Sequence, residues 1–174
     1  MIPKTFLPNY SEYYEQRWFA SGASVNETEV HDALGTFHIR VDQLFRLGDA
    51  LVGAEICEDL WAPVNPGTHA ALAGSNIVCN LSASNELVSK ADYREDLVRM
   101  TSAKSFCAYV YAGAGVMEST KDVVFGGHCL IAEAGQLLAQ SKRFELSPQA
   151  VIGDVDLQRL QHDRAQNTTF AQMP

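Results

Sequence analysis

A cysteine, a lysine and neighbouring carboxylates are the parts from which amide hydrolysis can be assembled, and this chain carries all of them. Cys57 stands in Glu55-Ile-Cys-Glu-Asp-Leu-Trp61, a cysteine followed by two carboxylates and a tryptophan. Lys4 lies in Pro3-Lys-Thr-Phe-Leu-Pro-Asn-Tyr10, a proline-flanked aromatic stretch, and Glu12 comes eight residues after it. An amide is a poor electrophile. Its hydrolysis needs a strong nucleophile, charge stabilisation at the oxygen and a proton for the departing amine. A thiol with an unperturbed pKa of about 8.5 is only partly ionised at neutral pH, and a lysine ammonium beside it favours the thiolate. A carboxylate positioned by that lysine can take the thiol proton and later return it to the leaving group. Free cysteine is also commonly a core residue, so position alone leaves both roles open for Cys57. Cys79, Cys107 and Cys129 sit in or beside apolar runs and read as core thiols.

The elements that must hold these groups follow from the apolar pattern. Residues 50–57 form a mostly apolar run bounded by turn signals, which predicts a buried strand with Cys57 at its end, facing a cleft. Residues 1–10 are expected to be extended, because Pro3 and Pro8 oppose helix. Ser11 is placed to cap a short helix over 12–18. Residues 20–33 read as a surface loop, 36–41 as a half-buried strand and 44–47 as a short one. Asn65-Pro-Gly opens a helix that runs to 73. Residues 76–81 form a second buried strand, followed by a polar loop over 82–86. Leu97, Met100, Thr101, Ala103 and Phe106 give an amphipathic helix over 92–106. A strand over 107–111 ends in Gly113-Ala-Gly115, which lacks GxGxxG or P-loop spacing and reads as a tight turn. A hairpin joins 123–132 to 136–141 through Glu133-Ala-Gly135. A last strand covers 150–156, a short helix 157–164, and a loose polar tail follows. This alternation argues an α/β layered domain.

The totals narrow the partners. The 174 residues suffice for one core. The formal charge is −8 with a pI near 5.0, and the basic residues are scattered, so neither nucleic acid nor an anionic membrane is an expected partner. No apolar run reaches the roughly 18 residues of a spanning helix, and the N-terminal residues lack signal-peptide order. The cysteines form no CxxC pair, which points to reduced thiols and a cytoplasmic location. The histidines show no metal-ligand spacing, so no metal site is assigned.

Taken together and in order, several motifs resemble the nitrilase-type carbon–nitrogen hydrolases. They are Lys4-Thr-Phe-Leu-Pro-Asn-Tyr10, Arg17-Trp-Phe19, Cys57-Glu-Asp-Leu-Trp61, Asn80-Leu-Ser-Ala-Ser84, Gly113-Ala-Gly115 and Glu118-Ser-Thr120. More narrowly, the pattern is similar to the glutaminase domain of the glutamine-dependent NAD+ synthetases and runs to Asp154-Val-Asp-Leu-Gln-Arg159. The resemblance implies an α-β-β-α sandwich. It implies a Glu-Lys-Cys triad in which Cys57 attacks the side-chain amide of glutamine and forms a γ-glutamyl thioester. Lys4 would stabilise the oxyanion, Glu12 would match the accessory carboxylate that orients Lys4, and Tyr10, Glu58 and Ser84 would hold the glutamine. The family's general-base glutamate comes well before the lysine, and only Met1, Ile2 and Pro3 precede Lys4 here. The expectation is therefore a partial glutaminase domain over 1–156, without its first strands and helix. Residues 157–174 would begin a linker toward a synthetase domain that this sequence does not contain. Such a fragment would be inactive or nearly so on its own, although Glu12 or Glu58 could in principle substitute as base. The amidase half needs no cofactor, whereas the synthetase domain would use ATP and Mg2+. Glutamine and the synthetase domain are the expected partners. Uncovered sheet edges and apolar faces add an expected homo-oligomer. The alternatives are another nitrilase-superfamily amidase, or a non-catalytic module kept for oligomer contacts.

Overall fold

The computed structural model describes residues 1–26 and 28–173. Its centre is a six-stranded sheet whose spatial order follows the chain: β3 (Phe45–Leu47), β4 (Ala50–Ile56), β5 (Ile77–Ser82), β6 (Ala108–Gly113), β7 (Cys129–Glu133) and β8 (Gln136–Gln140). Strands β4, β5 and β6 run parallel, and the flanking pairs are antiparallel. Parallel neighbours need a crossover. The two crossovers here carry α1 (Pro66–Leu72) and α2 (Lys90–Lys104). The result is a mixed-sheet α/β architecture.

Alternation along the central strands decides what faces the helices. Val78, Tyr109, Tyr111, Leu130 and Ala132 join Leu60, Val98 and Cys107 in one buried core. Each fully buried Val or Leu side chain among them is worth about 1.5–3 kcal/mol. The intervening residues Ile77, Cys79 and Leu81 of β5 point to the opposite face and are half-buried or exposed. Asn65 caps α1 by accepting from the Thr68 N–H, with Pro66 at the first helical position. Gly67 is required there because a Cβ would meet the Glu55 carboxylate at 2.8 Å. The β7–β8 turn uses Ala134 and Gly135, both at positive φ, as a tight hairpin demands.

Several expected elements differ. No helix forms over 12–18; one 3-10 turn, Glu15–Arg17, stands there. The polar stretch expected as loop contains β1 (Thr28–Asp32), paired with β2 (Gly35–Ile39) in a separate two-stranded ribbon. Both strands of that ribbon are largely exposed, so no apolar alternation marks the first. Helix α2 buries Ala91, Arg94, Val98, Thr101 and Ser102, leaving Met100 exposed, so its inner face is offset from the expected stripe. Residues 150–156 are extended but join no sheet, and Gly153 packs near Ile131 and Leu138. The tail is not wholly irregular. After α3 (Leu157–Gln166) comes α4 (Thr168–Ala171), whose Phe170 meets Phe106 edge-on.

Candidate active site

Strand β4 delivers Cys57 to its C-terminal end, where the chain turns directly into a short 3-10 helix, Cys57–Trp61. Cys57 adopts φ +52°. A left-handed conformation costs an ordinary residue roughly 1–2 kcal/mol, so neighbouring contacts must hold it. The buried Asn80 side chain does so from β5: its Oδ1 accepts from the Cys57 N–H at 3.2 Å, and its Nδ2 donates to the Cys57 carbonyl at 3.4 Å. Asp59 fastens the next turn and also reaches the N-terminal segment. It accepts from the backbone N–H groups of Ile56, Thr5 and Phe6 at 2.7–3.1 Å. Burial leaves Asp59 above the usual carboxylate range despite these bonds. Through that one carboxylate, Thr5 and Phe6 are pinned against the turn that presents Cys57.

Cys57 is 8% exposed and borders two clefts. One, of about 650 Å³, contains Lys4, Glu15 and Phe19. Lys4 Nζ donates to both oxygens of Glu15, at 2.7 and 2.6 Å. Glu12, expected to orient Lys4, instead accepts from Asn85 Nδ2. The reason is local geometry. The 3-10 turn that begins at Glu15 points that carboxylate back to Lys4, while Glu12 precedes the turn and projects to the other cleft. In this structure, the carboxylate on Lys4 is therefore Glu15.

The second cleft, of about 470 Å³, brings together Tyr10, Glu12, Glu58, Ser84 and Lys90 beside Cys57. Tyr10 donates its hydroxyl to Glu58 Oε1 at 2.7 Å. Burial, then the bonded Glu58, raises the Tyr10 pKa, so the phenol stays protonated as a donor. Tyr13 accepts from the Asn85 N–H at 3.0 Å, and burial pushes its pKa to about 12. Lys90 donates to Asn85 Oδ1 and sits 5.2 Å over the Trp61 ring. Burial, followed by the nearby Arg94 cation, depresses its pKa. The cleft thus holds a carboxylate and an ammonium of opposite sign beside a thiol.

The structure places the expected residues Cys57, Tyr10, Glu12, Glu58 and Ser84 around one cleft, and Lys4 with Cys57 on the other. Residue-by-residue reading did not single out Glu15, Lys90, Tyr13, Asn80, Asn85 or Asp59 as functional. For Asn80 and Asp59 a signal existed, since both lie inside motifs already quoted. Nothing local marks Glu15 or Lys90, which are set by tertiary contacts. Glu55, two residues before Cys57, is buried and accepts from Gly67 N–H at 2.6 Å, Asn65 Nδ2 at 3.3 Å and the Tyr109 hydroxyl. It ties β4 to the start of α1. Among the described residues, no group of three or more His, Cys, Asp or Glu side chains could hold a metal ion. No helix among them is long and apolar enough to cross a membrane.

The chain is similar to known proteins along most of its length. The carbon-nitrogen hydrolase family profile matches residues 3–165. The chain is 39% identical over 177 residues to a glutamine-dependent NAD(+) synthetase of Mycobacterium leprae, covering 98% of this chain and 25% of that protein. The crystal structure of a glutamine-dependent NAD(+) synthetase from Cytophaga hutchinsonii superposes with a TM-score of 0.74 at 30% identity, over 87% of this chain and 24% of that one. A carbon-nitrogen hydrolase from Helicobacter pylori shares the fold, with a TM-score of 0.71 at 17% identity, over 98% of this chain and 56% of that one. The chain spans about a quarter of the length of the curated relatives it matches.

Proposed function

The chain belongs to the carbon–nitrogen hydrolase family, and on that premise we propose that it is the glutamine-hydrolysing part of a glutamine-dependent NAD+ synthetase. The observation that carries this reading is the position of Cys57 at a strained strand end, bordering both the Lys4–Glu15 pair and a cleft with paired opposite charges. In the proposed reaction Cys57 Sγ adds to the side-chain carbonyl carbon of glutamine. Lys4, held by Glu15, stabilises the thiolate and then the oxyanion. The amide nitrogen takes up the proton that the thiol gave up, the C–N bond breaks and ammonia leaves, and water cleaves the γ-glutamyl thioester to glutamate and restores the thiol. Charge selects the substrate. The α-ammonium of glutamine faces Glu58, already held by Tyr10, and the α-carboxylate faces Lys90. Ser84 and Glu12 border the same cleft as further hydrogen-bonding groups. A nitrile or simple amide lacks both charges and would leave Glu58 and Lys90 without substrate partners.

Four carboxylates around the two clefts and the Cys57 turn are engaged: Glu15 with Lys4, Glu58 with Tyr10, Glu12 with Asn85, and Asp59 with backbone N–H groups. None of these bonds is to the Cys57 thiol. We therefore expect the thiol to be captured once by a glutamine-like electrophile while sustained turnover stays low. In the whole protein, the ammonia would serve the amidation of nicotinic acid adenine dinucleotide in a synthetase domain that uses ATP and Mg2+, within a cytoplasmic homo-oligomer. The test is mass spectrometry after treatment with diazo-oxo-norleucine, beside an assay for γ-glutamyl hydroxamate. One adduct on Cys57, absent in Cys57→Ala and suppressed by glutamine, is expected. An unreactive Cys57 would refute the amidase reading. Steady glutamine turnover that depends on Cys57 would refute the low-activity expectation alone.

A further inference from the structure

Asn85 lies in the loop between β5 and α2 and is 3% exposed. It takes no part in the proposed reaction, yet each of its hydrogen-bonding groups is engaged by a different residue. Its N–H donates to the Tyr13 hydroxyl at 3.0 Å, and its carbonyl accepts from Arg94 at 3.2 Å. Its side-chain Nδ2 donates to Glu12 Oε1, and its Oδ1 accepts from Lys90 Nζ. Glu12 and Tyr13 belong to the N-terminal segment, whereas Lys90 and Arg94 belong to α2. Asn85 therefore ties together two walls of the cleft that Cys57 borders.

Helix physics gives Lys90 no reason to stand where it does. It is the first residue of α2, at the positive end of the helix dipole, where a cation is disfavoured. Ser89 before it adopts φ +65° and makes no side-chain cap. Arg94 adds a like charge at i+4, which is also unfavourable. A long lysine chain loses much rotamer freedom when it is fixed. Contacts from outside the helix offset these costs. The Trp61 ring lies 5.2 Å from the ammonium, and Asn85 Oδ1 accepts from it. The ring contact has little directionality, so the hydrogen bond sets the place of the ammonium. The Asn85 amide is itself oriented by charge: its oxygen faces the Lys90 ammonium and its nitrogen faces the Glu12 carboxylate. Glu12 holds Asn85, and Asn85 holds Lys90.

We propose that Asn85 is a positioning residue for substrate recognition, fixing the Lys90 ammonium at the place where the α-carboxylate of glutamine binds. The proposal rests on the amidase reading. Asn85 touches no reacting atom and acts through Lys90. Because Tyr10 holds Glu58 on the ammonium side, both charges of the cleft are set before substrate arrives. A cleft prepared in this way selects an α-amino acid amide over an amide that carries an amine alone.

The test reads protection of Cys57 from iodoacetamide, which carries no amino-acid head group. Glutamine is compared with 4-aminobutyramide, which is glutamine without its α-carboxylate. In Asn85→Ala the backbone bonds to Tyr13 and Arg94 remain possible, but the hold on Lys90 is lost. Half-protection should then need about tenfold more glutamine, the weight of one hydrogen bond to a charged group. Protection by 4-aminobutyramide should not change. Lys90→Met should show a glutamine-selective loss at least as large, and adding Asn85→Ala to it should cause no further loss. A purely structural role for Asn85 would weaken both ligands alike and add to the Lys90→Met loss; either result overturns the proposal, as does an unchanged Asn85→Ala. Should Asn85→Ala not fold, Asn85→Asp carries the test. It has the same shape, and its carboxylate would occupy the Lys90 cation in place of substrate, so the same loss confined to glutamine is expected and an equal loss for both ligands overturns the proposal. Absence of glutamine protection in the parent chain would overturn the amidase reading and this proposal with it. Protection in the parent without a ligand-selective loss in the variants overturns the positioning role alone.

Discussion

At the scale of single residues, Lys4 has Glu15 for its partner, and the pair lines the cleft that Cys57 borders. Lys4 and Glu15 have side chains only 15% and 27% exposed, and both Glu15 oxygens accept from the ammonium. Replacing Glu15 with Gln removes the charge-assisted contact that fixes Lys4 near the thiol. A charge-assisted hydrogen bond of this kind is worth about 1.5 kcal/mol, so the alkylation rate of Cys57 at neutral pH should fall roughly tenfold. Glu12→Gln should leave that rate unchanged, since Glu12 bonds to Asn85 instead. Iodoacetamide kinetics against pH, read by mass spectrometry on Cys57, separate the two variants. An effect confined to Glu12→Gln would return the orienting role to Glu12. The comparison also shows how far residue types alone reach. The apolar run that ends on Cys57 left core thiol and nucleophile both open, and only the ordered set of motifs pointed to Cys57 and the proline-framed Lys4. Glu15 was hidden because its approach to Lys4 depends on a single 3-10 turn that no periodic pattern announces.

At the scale of elements, polar contacts rather than apolar stripes align α2 with the sheet. Arg94 on the buried face of α2 donates to Glu86 at 2.9 Å, to the Asn85 carbonyl at 3.2 Å and to His128 Nδ1 at 3.0 Å. The other ring nitrogen of His128 lies 2.8 Å from the Gln140 side-chain amide of β8. Nδ1 must accept from the guanidinium, so His128 is held neutral. Burial first and Arg94 second depress its pKa to about 4, with Glu86 and Asp92 opposing and Arg143 assisting. The native state therefore refuses a proton that the unfolded chain accepts below its ordinary value of 6.5. The stability from this neutral histidine is fully present above that value and is lost as pH falls from there toward about 4. His128→Gln retains an acceptor but cannot titrate. Denaturant unfolding across that window should show a pH slope shallower by one proton in the variant, and identical slopes would remove His128 from the acid sensitivity. The central strands β4, β5 and β6 and helix α1 were legible as apolar runs with turn and cap residues at their ends. The inner face of α2 was not, because Arg94 reads as a surface residue until Glu86 and His128 are seen to surround it.

At the scale of the whole molecule, the sheet is covered unequally. Helices α1 and α2 lie on the face that carries Val78 and Tyr109, and the core is built there. The other face presents Val52, Ala54 and Ile56 of β4, Ile77, Cys79 and Leu81 of β5, and Val110 and Ala112 of β6. These side chains are half-buried, except Leu81, which is 66% exposed, and near the same cleft Phe19 is 65% exposed. Of the segment over 150–156, Gly153 packs near Ile131 and Leu138. A contiguous apolar surface of this kind favours association, so the chain by itself should form concentration-dependent oligomers through this face. Leu81→Lys supplies the check. Leu81 already faces solvent, so a charge there costs the folded monomer little, while in an apolar interface it would be buried without a partner. Light scattering on size-exclusion fractions should show the parent chain above its 19.1 kDa monomer mass and the variant shifted toward it, with unchanged thermal unfolding at low concentration. A parent chain that stays monomeric as concentration rises would show that this face needs no cover. The same face borders Cys57 through Ile56 and Leu81, so whatever covers it also closes the cleft that holds Lys4. Association and thiol reactivity should therefore change together: if they are coupled, Cys57 alkylation slows as parent concentration rises and stays constant in Leu81→Lys.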